Sequence, residues 1–122
     1  MIEINDNFIE QGIEVKPLKI KHRDWDILGY RINNFAYITD CSMIPDETFN
    51  TLNNLDLLIL DSLRYTSHEA HLSVDQAIEI SAKLKPKKTV LTHMSSELKY
   101  EDLLSYLPKN IAPGFDGMSI KI

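Results

Sequence analysis

A mixed α/β fold of the α+β kind follows from three observations. Short apolar runs, Phe35–Ile38, Leu57–Leu60 and Thr89–Leu91, are too short for helices and are bounded by polar residues, as buried strands are. One helical stretch, Val74–Leu84, separates the last two runs. Upstream, Ile13–Ile20 alternates apolar and polar residues, the pattern of a half-buried strand. Together they predict a mixed sheet with about three helices in the order β-β-β-α-β-α-β-α-β. The front half is antiparallel and the back half alternates strand with helix.

The elements follow in order. Residues 1–12 carry weak strand signals at Ile2, Ile4, Phe8 and Ile9, then a turn at Gly12. Pro17 inside Ile13–Ile20 marks an edge or a bulge. After a polar turn at Asp24 and Asp26, Ile27–Ile32 and Phe35–Thr39 form a hairpin across Asn33-Asn34, because Asn tolerates positive φ. Pro45 suits the first position of a short helix over residues 45–54. Leu55–Leu60 is nearly all apolar and reads as a parallel strand buried on both faces. Ser62–His71 is a loop. Ser73, with Gln76 three residues on, makes a capping box for Val74–Leu84, which Pro86 ends. Lys88–Thr92 is a strand and Tyr100–Leu107 a last helix stopped by Pro108. A final strand is expected at Met118–Ile122, after the turn Phe115-Asp116-Gly117.

With 122 residues the chain forms a single domain or part of one, residues 1–122. Its net charge is −5, and the one lysine cluster (Lys83, Lys85, Lys87, Lys88) reads as a solvated helix end, which argues against a nucleic-acid binder. One cysteine, Cys41, excludes an internal disulfide and fits a reducing cytoplasm. No apolar run approaches the roughly 18 residues a membrane span needs, and the acidic N-terminus is no signal peptide.

Three apolar runs end at or just before residues able to hold a metal: Asp40, Asp61 and His93. In open α/β sheets ligands gather beyond the carboxyl ends of strands, so this is a site pattern. His22 likewise follows a strand. A lone histidine in such a place is more often a hydrogen-bonded structural residue. The joint placement of His22, Asp40 and His93 favours a metal cleft, since imidazole nitrogen and carboxylate oxygen suit Zn²⁺ or Mn²⁺. His68 and His71 lie on a loop, where either can act as general acid or base.

The segment DSLRYTSHEAHLSVDQAIEISAKLKPKKTVLTHMSSELKY, with YITDCSMIP upstream and FDGM near the C-terminus, resembles the metallo-β-lactamase-fold hydrolases. Within them it is most similar to the branch of the phosphonate-pathway cyclic phosphodiesterases. The resemblance runs from about Val15 onward. It implies the C-terminal half of an αββα sandwich and a pair of Zn²⁺ or Mn²⁺ ions. His22 matches the histidine completing the first metal site, Asp40 the bridging carboxylate, and His93 the histidine completing the second. His71 matches a non-ligand histidine that contacts the scissile phosphate or protonates the leaving group. Asp61 and Asp116 match positions near the cleft, behind the ligands or structural, since a ligating histidine needs an orienting acceptor. His68 matches a position behind the ligands or against the substrate, with no role assigned.

The family's His-x-His-x-Asp-His motif is absent from residues 1–122, and Ser96 stands where many relatives carry a second histidine. His22 with Asp40, and Asp40 with His93, give two protein ligands per metal, against the three usual in catalytic zinc sites. The expectation is therefore half of a dinuclear hydrolase acting on a small phosphodiester, with one sheet face bare. A homodimer or a separate N-terminal half would cover that face. Two alternatives are a non-catalytic assembly module that keeps the half-fold, and a metal-binding protein with chemistry of its own.

Overall fold

The computed structural model describes residues 8–10, 13–66, 71–92, 94–95, 98–114 and 118. Among these residues seven strands form one sheet in strict chain order: β1 (Phe8–Glu10), β2 (Ile13–His22), β3 (Trp25–Ile32), β4 (Phe35–Ile38), β5 (Leu57–Asp61), β6 (Lys88–Thr92) and β7 (Ile111–Pro113). From β1 to β4 neighbours are antiparallel; from β4 to β7 they are parallel. Helices α1 (Asp46–Phe49), α2 (Val74–Leu84) and α3 (Tyr100–Tyr106) lie in the three parallel crossovers.

Successive crossovers of the same hand, advancing in one direction, put their helices on one side of a sheet. The core agrees. Leu18, Ile20, Ala36, Ile38, Leu58, Leu60, Leu91 and Ile111 share one face, and Leu52, Leu72 and Ala77 pack onto it with Phe49, Ile78, Ile80 and Leu84. The opposite face carries Tyr30, Tyr37 and Ile59 in one cross-strand row, with Tyr37 43% exposed. It is a half-covered apolar surface.

Each helix is fixed by local chemistry. Ser73 Oγ accepts from the Gln76 N–H while Gln76 Oε1 accepts from the Ser73 N–H, the reciprocal box that satisfies two orphan donors. Lys85 closes α2 in the left-handed region at φ 52°. The buried hydroxyls of Ser81 and Thr89, 2.7 Å apart, satisfy each other between α2 and β6. Short α1 is held by Thr48, whose Oγ1 donates to the Lys19 carbonyl at 2.6 Å.

Three expectations shift. Pro45 is the N-cap of α1 and not its first residue, and the helix ends at Phe49. The first hairpin is longer than its apolar pattern: β2 reaches His22 and β3 begins at Trp25, because only Arg23 and Asp24 are needed for the turn. Pro17 keeps its expected edge position: β1 pairs with Ile13–Val15 only, so no described strand flanks Pro17 on the side away from β3. A last parallel strand lies at Ile111–Pro113, where none was expected; Met118 is not in a strand, and the rest of the expected Met118–Ile122 strand lies outside the described residues.

Candidate active site

The cleft forms where two chain segments are tied together at the ends of β2 and β4. After β4 the chain turns through Asp40, which adopts the left-handed region at φ 56°. The following residues then pair back onto β2: the Lys21 N–H donates to the Met43 carbonyl at 3.0 Å, and the Ser42 N–H to the Lys21 carbonyl at 2.7 Å. Ser42 Oγ accepts from the Arg23 N–H at 3.0 Å, which pins the hairpin tip, where Arg23 is left-handed at φ 57°. His22 and Asp40 thereby line one open cleft of about 660 Å³, with Arg23, Trp25 and Thr39.

A second pair stands beside it. Asp61 ends β5 and is fully buried, while Leu72 and His71 precede the N-cap of α2. Asp61 Oδ2 accepts from the Leu72 N–H at 3.3 Å and lies 3.2 Å from His71 Nδ1. An ionised carboxylate only accepts, so the proton of that contact sits on Nδ1. The His71 ring meets His22 edge-on, with centroids 5.0 Å apart and planes at 88°. His22, Asp40, Asp61 and His71, singled out on separate segments of the sequence, thus converge. His68, His93 and Asp116, together with Ser96, lie outside the described residues.

Cys41 is buried behind Asp40. Burial first, and the Asp61 charge second, push its thiol up to about 12. It is a packed apolar group at neutral pH and not a nucleophile.

The donor types fit a borderline or hard divalent cation. Their number is partial: among the described residues no group of three or more His, Cys, Asp or Glu is close enough to hold an ion. Arg23 and Trp25 were not anticipated as lining residues. The register that sets Trp25 opposite His22 was the missing signal, because the strand pattern visible in the sequence begins only at Ile27.

The sequence pattern of the beta-lactamase superfamily domain matches residues 2–94. The chain belongs to the metallo-β-lactamase superfamily. A diphosphatase from the PhnP family is 36% identical, with a TM-score of 0.94 over 96% of this chain and 46% of its own. Human tRNase Z, short form, at 20% identity and a TM-score of 0.69, covers 94% of this chain and 46% of its own and shares the fold. An octanoyltransferase from Porphyromonas gingivalis (strain ATCC BAA-308 / W83) is 34% identical over 108 residues, 87% of this chain and 22% of that protein. The chain thus spans about half the length of the diphosphatase and under a quarter of the octanoyltransferase. Within the superfamily it falls in the PhnP-like branch, and its mixed sheet with helices on one side is part of the metallo-β-lactamase fold. No helix among the described residues is long and apolar enough to cross a membrane.

Proposed function

We propose that this chain contributes the His22–Asp40–His93 share of a dinuclear metal-dependent hydrolase that cleaves a small phosphodiester, and that it is inactive until the remaining ligands are supplied. One observation carries the reading: His22 and Asp40 line the same cleft, beside a histidine held by a buried carboxylate. Membership of the superfamily and likeness to a diphosphatase support phosphoester chemistry. The octanoyltransferase name belongs to a polypeptide of which this chain matches only 22%, so it carries little weight for this segment.

In this reading His22 and Asp40, which line one cleft, would hold metal. Zinc or manganese, when bound, would supply an activated nucleophile and neutralise charge on the phosphoryl oxygens. His71 would then protonate the leaving oxygen. Its Nδ1–H is committed to Asp61, so Nε2 is the nitrogen that exchanges a proton with substrate. Asp61 fixes the tautomer and the orientation of the ring.

The half-covered face bearing Tyr30, Tyr37 and Ile59 supports a second sheet packed against it, from a separate N-terminal half or from a second copy of the chain. A competing reading, a non-catalytic assembly module, is favoured by the small number of converging donors among the described residues. The test combines this chain with a polypeptide carrying His-x-His-x-Asp-His and follows bis(p-nitrophenyl) phosphate. Metal-dependent hydrolysis that His22→Ala and His93→Ala each abolish is the expected result. Activity that survives His93→Ala sinks the site assignment, and no activity with any metal favours the assembly module.

A further inference from the structure

We infer that Trp25 is a stacking platform that selects phosphoesters whose organic group is a flat, unsaturated ring. The inference rests on the hydrolase reading above and adds the substrate class. Trp25 is the most exposed of the large apolar side chains among the described residues, at 75%. An indole left so open in water contributes nothing to the core, and tryptophan is suited to faces that meet a partner.

Its position is specific. Trp25 is the direct cross-strand partner of His22 and lines the same cleft as His22, Arg23 and Asp40. The loop that carries it is fixed, because Ser42 and Met43 hold Lys21 and Arg23 by backbone and hydroxyl hydrogen bonds. A ring docking on the indole therefore meets a surface already in place, and little ordering opposes binding. Arg23 supplies a guanidinium on the same rim, suited to phosphate oxygens. About 660 Å³ lies within the range of small-ligand sites. A net charge of −5 disfavours a long polyanion, so the ring belongs to a small molecule.

The full chain is titrated with adenosine 5′-monophosphate and, separately, with ribose 5-phosphate, which keeps the sugar and phosphate but lacks the ring. Trp25 is the single tryptophan of the 122 residues, so indole emission reports the stack. The nucleotide should bind on the order of tenfold to a hundredfold tighter and quench the emission, as base–aromatic stacking does. Trp25→Ala should bring the two affinities together, and Trp25→Phe should restore part of the preference. Equal binding of both ligands to the native chain overturns the Trp25 assignment and leaves the phosphoester reading standing. Binding of neither overturns the Trp25 assignment, while the phosphoester reading is decided separately by the hydrolysis assay with the added ligand-bearing polypeptide. Emission already typical of a buried indole and unmoved by the nucleotide overturns the inference too, since Trp25 is then a packing anchor for a second copy or a second sheet.

Discussion

His71 Nδ1 lies 3.2 Å from Oδ2 of the fully buried Asp61, so the end of β5 governs a histidine two residues ahead of the α2 N-cap. Asp61→Asn keeps the shape and removes the charge. In the completed hydrolase it should lower kcat on bis(p-nitrophenyl) phosphate about 10–100-fold, the usual effect of losing such a support, with metal content unchanged. His71→Ala should cost more, on the order of 10²–10⁴-fold. Equal rates for Asp61→Asn and the parent would reduce the contact to a structural one.

Asp40 separates backbone from charge. Its φ of 56° is tolerated by Asn and opposed by β-branched residues. Combined with the polypeptide carrying His-x-His-x-Asp-His, Asp40→Asn should therefore melt within a few degrees of the parent while bound zinc or manganese, measured by elemental analysis, falls sharply. Asp40→Val should lose both metal and stability. A variant in which Asn retains full metal would remove Asp40 from the ligand set.

Gly29 tests the register of the central strands. A Cβ there would sit 2.9 Å from the Tyr37 carbonyl oxygen and 3.2 Å from Ile38 Cγ1. Gly29→Ala should destabilise the chain by about 1–3 kcal/mol, the cost of overpacking a tight site. Urea midpoints at constant slope provide the measurement.

Cys41 gives a pH dependence whose sign can be worked out. Its thiol is raised from 9.0 to about 12 in the fold. Below pH 9 both the folded and unfolded chains keep the proton, and Cys41 adds no pH dependence. Between about pH 9 and 12 the unfolded chain releases it while the fold retains it, so stability falls as pH rises. The fall should be steeper than in Cys41→Ala by about 1.4 kcal/mol per pH unit at most. Matching slopes for the two proteins would contradict the shift.

Tyr37 and Ile59 probe what covers the second sheet face. Tyr37→Glu with Ile59→Lys should leave circular dichroism and the thermal midpoint of the isolated chain nearly unchanged. It should abolish association with a second copy or with an N-terminal half in light scattering. Undiminished association would move the interface elsewhere.

Much of this architecture was legible because parallel strands buried on both faces are apolar runs and α2 carries its own capping box. Val74–Leu84 and Lys88–Thr92 match the expected bounds. β7 was not legible: Ile111-Ala112-Pro113 is three residues long and ends in a proline, so neither periodicity nor propensity marks it, and only pairing to Thr89–Leu91 makes it a strand. The candidate site was legible where strand ends carry chemistry, at His22, Asp40 and Asp61. It was not legible at Trp25 or Ser42, whose places depend on hairpin register and on a loop pairing across about twenty residues. Local patterns carry no record of such nonlocal pairing.

The stitch between Lys21 and Met43 is made of backbone hydrogen bonds, so it belongs to the fold and has no cation or substrate among its partners. Whatever energy the awkward turn at Asp40 demands is therefore settled during folding and not charged against ligand capture. Loosening the stitch, for example by Ser42→Gly, would transfer that demand to the binding step, and affinity would weaken even though every direct contact remained available.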